Sequence, residues 1–122
     1  MVSPNKRGKL STHILDTSLG RPAAGVKISL YQIENELVTE IHSTVSNEDG
    51  RTDQPLLADE TFRLGTYELR FHVNSYFENS AHDDCALPFL NIIPVRFTLS
   101  EINHYHVPLL VSPYSYSTYR GS

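Results

Sequence analysis

The stretch Thr66-Tyr67-Glu68-Leu69-Arg70-Phe71-His72-Val73 puts Tyr67, Leu69, Phe71 and Val73 on one side, and Glu68, Arg70 and His72 on the other. Successive side chains of an extended strand point to opposite faces, so this spacing predicts a strand with one face buried and one wet. The same period recurs upstream. Leu10, Thr12 and Ile14 alternate with Ser11, His13 and Leu15, and Val26, Ile28 and Leu30 alternate with Lys27, Ser29 and Tyr31. Leu37, Thr39, Ile41 and Val45 continue it after a polar Glu34-Asn35-Glu36 turn. Downstream, Ile93, Val95, Phe97 and Leu99 form a further strand. Two short strands then meet at Ser112-Pro113. Gly20, Pro22 and the Asn47-Glu48-Asp49-Gly50 stretch punctuate the chain as turns. Ser75 to Ala81 is the single helical candidate, with Ser75 as its N-cap. Seven to eight short strands with one short helix predict an all-β, antiparallel β-sandwich. No helix is long enough for a parallel βαβ layout, and no repeat or linker divides the chain. Residues 1–8 read as a flexible N-terminal segment and residues 9–122 as one domain.

At 122 residues the chain has room for one core without covalent staples. The formal net charge is −4 and the basic residues are scattered, which gives nucleic acid no electrostatic footprint. Lys6, Arg7 and Lys9 form a small basic cluster that solvation explains. The single cysteine, Cys85, excludes an intramolecular disulfide framework and fits a reducing compartment. No apolar run approaches the roughly 20 residues that span a bilayer. The opening residues lack the apolar segment of a secretory signal, and the terminus is not the Ser-Lys-Leu peroxisomal address. The expected location is the cytoplasm, with peroxisomal delivery requiring a signal of another kind.

Candidate reactive groups are few. His13 lies on the strand face opposite Leu10 and Ile14, where a lone histidine is ordinarily a cross-strand or surface residue. Arg51 directly follows the Asp49-Gly50 turn. Such an arginine is commonly a solvated charge, but its planar fork is also suited to gripping the carbonyls of a flat heterocycle. His104 and His106 are two apart, so on a strand they share a face, a spacing that also suits two imidazole ligands of a metal. With His13 as a third ligand, no carboxylate or thiol companion stands beside them. The His82-Asp83-Asp84-Cys85 cluster has loop composition and one-residue spacings, so no metal or other cofactor is expected. The last nineteen residues hold two histidines, several tyrosines, Arg120 and five serines and threonines, after an apolar Val107-Pro108-Leu109-Leu110-Val111 run. A tail with that composition predicts docking against the domain.

The run from His104 to Leu110, followed by Tyr114-Ser115-Tyr116-Ser117-Thr118-Tyr119-Arg120-Gly121-Ser122, resembles the C-terminus of the 5-hydroxyisourate hydrolases, the transthyretin-related enzymes of urate and purine degradation. The tetrapeptide Tyr119-Arg120-Gly121-Ser122 is that family's terminal signature, and the resemblance extends from about Lys9 to Ser122. It implies a transthyretin-like sandwich, assembled as a homotetramer (a dimer of dimers) with its sites in a channel between dimers. It implies hydrolysis of 5-hydroxyisourate to 2-oxo-4-hydroxy-4-carboxy-5-ureidoimidazoline without a metal. The residues it carries over are His13, Arg51, His106 and Ser122 as catalytic groups, with His13, Arg51 and Tyr119 also binding substrate. His104 corresponds to a more variable position. The alternative reading is a transthyretin-type carrier of an aromatic small molecule in the same channel. A third, a structural or adhesive β-sandwich module, is disfavoured by the lack of a signal peptide or disulfide.

Overall fold

The computed structural model describes residues 7–78 and 87–121. In chain order its elements are β1 (Lys9–Asp16), β2 (Arg21–Pro22), β3 (Lys27–Glu34), β4 (Leu37–Val45), β5 (Leu57–Ala58), a 3-10 turn at Asp59–Thr61, β6 (Gly65–His72), α1 (Val73–Glu78), β7 (Ile92–Leu99), β8 (His104–Val111) and β9 (Tyr116–Thr118). They build two sheets. One runs β2-β1-β8-β9, with β5 on β1, and the other runs β4-β3-β6-β7. The expected sandwich is present. Its pairs are antiparallel except β1 with β8, which run parallel from Lys9↔His104 to Asp16↔Val111. Parallel neighbours need a long crossover rather than a hairpin. Here the crossover contains the entire second sheet, along with β2, β5 and α1.

Alternation decides what each sheet buries. Leu10, Ile14, Tyr105, Val107, Leu109 and Val111 point inward from the first sheet, and Ile28, Leu30, Tyr67, Leu69, Phe71 and Ile93 from the second. Each fully buried aliphatic or aromatic side chain contributes about 1.5–3 kcal/mol relative to exposure. Strand β4 departs from expectation. Its apolar residues are exposed, Leu37 at 66% and Val45 at 55%, because it is an edge strand paired only with β3. The helix begins at Val73, two residues before the expected Ser75 cap, so Ser75 lies inside it; the expected end at Ala81 falls outside the described residues. Val73 is buried as the strand pattern requires, but its backbone has already turned helical. Counting apolar positions cannot register that switch. Among the described residues no helix is long and apolar enough to cross a membrane.

The outward positions of β1 and β8 are what remains once the core has taken the others. Lys9, Ser11 and His13 therefore share an outer face with His104 and His106. The parallel register sets Ser11 opposite His106 and Lys9 opposite His104, and leaves His13 diagonal to His106.

Candidate active site

Three segments converge on that outer face. The first is β1. The second is β8. The third is the turn Asn47–Gly50, which hands Arg51 to β1 through an isolated antiparallel bridge with His13. The turn is tied by side chain and backbone: the Asn47 carboxamide oxygen accepts the N–H groups of Asp49 (2.9 Å) and Arg51 (3.1 Å). The Asn47 N–H donates to the Arg51 carbonyl at 2.8 Å. Gly50 has φ +73°, and a Cβ added there would lie 2.4 Å from the Ile14 carbonyl oxygen. The left-handed backbone costs other residues about 1–2 kcal/mol, and the close approach leaves no room for a side chain. Gly50→Ala is therefore expected to lower the unfolding free energy by at least roughly 1–2 kcal/mol and to pull Arg51 away from His13. Thermal unfolding and the rate assay described below check both.

The two imidazoles are in direct contact. His13 Nδ1 and His106 Nε2 are 2.6 Å apart, and the other nitrogen of His106, Nδ1, lies 2.8 Å from Ser11 Oγ. His104 Nε2 is 3.4 Å from the same hydroxyl. His106 is 8% exposed, whereas His104 is open to solvent. Burial holds the His13 pKa below its ordinary value, and the Arg51 guanidinium adds to the effect. His106 is lowered by burial first, then by His13, Arg51 and His104. In each case the environment penalises the imidazolium, so the resting pair is neutral at pH 7. Neutral imidazoles beside a fixed guanidinium form a proton acceptor next to an anion stabiliser.

The pair opens into a cleft of about 540 Å³, whose lining includes Lys9, Arg51, Asp53, Tyr119 and Gly121. That volume falls in the range of roughly 300–1,000 Å³ usual for small-molecule sites. The C-terminal segment closes one side. Gly121 donates its N–H to the His106 carbonyl at 2.7 Å. A Cβ on Gly121 would come within 2.9 Å of the His106 ring. Arg120 stacks its guanidinium on Tyr105, 4.2 Å from the ring centre. The tail is thus docked, as its composition predicts. His13, Arg51, His106 and Tyr119 come together as anticipated, while Ser122 lies outside the described residues, as does the His82 to Cys85 cluster.

Residues 10–121 match the family described as HIUase/Transthyretin. The chain belongs to this family. It is similar to the 5-hydroxyisourate hydrolase of Halalkalibacterium halodurans, 54% identical over 94% of this chain and 98% of that protein. Among solved structures it resembles the 5-hydroxyisourate hydrolase of Klebsiella pneumoniae, with a TM-score of 0.78 and 32% identity over 94% of this chain and 99% of that one. It also resembles an (S)-allantoin synthase, with a TM-score of 0.89 and 40% identity; the match takes in all of this chain but only 46% of that longer one.

Within the HIUase/Transthyretin frame, Ser11 is the participant that sequence reading missed. It precedes His13 by two, so strand periodicity alone places it on the same face. Its partner on β8, 95 residues away, is what no local pattern supplies. Among the described residues no three His, Cys, Asp or Glu side chains gather in metal-binding geometry.

Proposed function

We propose that this protein hydrolyses 5-hydroxyisourate, opening the six-membered ring at its N1–C6 amide bond to give 2-oxo-4-hydroxy-4-carboxy-5-ureidoimidazoline. The observation that carries the reading is the contacting His13–His106 pair beside Arg51, in one cleft of a chain that belongs to the hydrolase-containing family. The imidazole pair takes a proton from water as its oxygen attacks C6. Arg51 holds the flat substrate and stabilises the negative charge that develops on its oxygen. The proton then goes to N1 as the C6–N1 bond breaks, so the sum of the reaction is the addition of one water. Tyr119, on the rim, contacts the ring. The terminal Ser122 positions substrate and water. A transthyretin-type carrier would need the cleft but not a proton acceptor within it, and the paired imidazoles favour the enzyme. Loss of 5-hydroxyisourate absorbance within minutes of adding protein, against slow spontaneous decay, is the expected result. Decay at the spontaneous rate would refute it.

The chemistry assigned to these side chains needs no metal, so activity is expected to survive exhaustive chelation. A stoichiometric metal whose removal abolishes the rate and whose return restores it would overturn that expectation.

The assembly we propose is a homotetramer, a dimer of dimers. The cleft lies on the outer face of a sheet, where a facing subunit would roof it, and isologous contact would pair equivalent sites across one channel. A fully active monomer in sedimentation would sink this arrangement. The proposed compartment is the cytoplasm, in keeping with the single cysteine, and cell fractionation tests it.

A further inference from the structure

We propose that Ser11 and His104 extend the imidazole pair into a four-membered proton line, running from Nε2 of His13 to the exposed ring of His104. The inference rests on the hydrolase reading and assigns work to two residues beyond the expected catalytic set. Both nitrogens of His106 are occupied, Nδ1 by Ser11 and Nε2 by His13, so His106 has none left to meet a water. His13 spends Nδ1 on His106. Its Nε2 has no protein partner among the described residues, which leaves it as the nitrogen of the pair that accepts the water's proton. Ser11 Oγ stands between two imidazoles, 2.8 Å from His106 and 3.4 Å from His104. A hydroxyl donates one proton while accepting others, so it can pass a proton along without gaining or losing one.

Two orders of donation satisfy every link. In the resting order, His13 Nδ1–H donates to His106 Nε2, His106 Nδ1–H donates to Ser11 Oγ, and the Ser11 hydroxyl donates to His104 Nε2. When His13 Nε2 takes a proton from water, each N–H or O–H proton moves one place onward. The positive charge comes to rest on His104, and the hydroxide joins C6 of the substrate. The reversed order then holds: His104 donates to Ser11, Ser11 to His106, and His106 to His13. Running the line backwards delivers a proton from His13 Nε2 to N1 as the amide bond breaks. The line therefore stores one proton for the duration of the tetrahedral intermediate. The His104 ring is open to solvent, whereas burial and the Arg51 guanidinium penalise an imidazolium on His13 or His106. The charged and titratable groups facing this line are Lys9 on β1, Arg51 and Asp53 from the turn segment, and Tyr119 from the C-terminal segment.

Ser11 is a positioning residue in this scheme, and its effect reads out as a tautomer. Nitrogen-15 NMR of the intact labelled protein, at a pH where the three imidazoles are neutral, should find His13 and His106 protonated on Nδ1. Ser11→Ala should abolish that preference at His106 and lower kcat by roughly 10- to 100-fold, as for other groups that orient a working imidazole, with KM little changed. Ser11→Thr, which keeps the hydroxyl on a strand-compatible side chain, should restore both. His104→Ala should lower kcat in the wild-type background and have no further effect in Ser11→Ala, since the cut line no longer reaches it. A His106 protonated on Nε2 in the resting protein overturns the line, as does a His104→Ala effect undiminished by Ser11→Ala. Should the unaltered protein fail to hydrolyse 5-hydroxyisourate, the activity reading falls and the tautomer measurement still decides the line.

Discussion

His13→Ala or His106→Ala lowers kcat/KM for 5-hydroxyisourate by about 10²–10⁴-fold, the usual worth of a positioned general base. The double variant is expected to lose little beyond either single one. The two rings meet through nitrogens 2.6 Å apart and act as one acceptor, so removing either destroys the unit. Losses that multiply in the double variant would show instead two independent groups. The pH profile carries the same signature. A general base works in its neutral form, and both imidazoles are held below their ordinary value near 6.5. The pair should therefore remain a competent acceptor from pH 8 down to about 6.5 and be lost as the pH falls through the lowered values. An acidic limb centred above 6.5 would mean that the pair is not the acceptor.

Removing Arg120, Gly121 and Ser122 is expected to cost at least about tenfold in rate while leaving a folded domain. The stability lost is small. One backbone hydrogen bond is worth about 0.5–1.5 kcal/mol and an exposed cation–π contact about 0.5–1, against roughly 5–15 for a whole domain. The catalytic loss is larger because Gly121 ties down the main chain of His106 and packs on its ring. Without that tether the His106 ring loses one of the contacts that set it against His13. Circular dichroism and the absorbance assay on the shortened protein separate the two effects. Wild-type activity in a truncated, folded protein would remove the tail from the site.

The buried faces were legible because alternation is local: Leu10 and Ile14, Ile28 and Leu30, and Leu69 and Phe71 need no knowledge of their partners. His13, Arg51, His106 and Tyr119 could be singled out, although only the family resemblance drew them into one site. The parallel pairing of β1 with β8 was hidden, since register between strands some 95 residues apart is settled by core packing and not by neighbours in sequence. Ser11 was hidden for the same reason. Its face could be read, but the ring it touches could not. The exposure of Leu37 and Val45 was missed because a period of two shows which way residues point and not whether anything covers them. The early start of α1 at Val73 reflects a residue whose burial suits strand and helix alike.

The parallel bond between β1 and β8 also fixes when the site comes into being. His106 emerges from the ribosome 93 residues after His13, with the whole β4-β3-β6-β7 sheet made in between. Throughout that interval a nascent chain carries half an active site, with the outer face of β1 waiting for a neighbour. Closing such a distant contact is slow relative to hairpin formation. Catalytic competence should therefore be a late event in folding, and regained activity a stringent report on complete refolding.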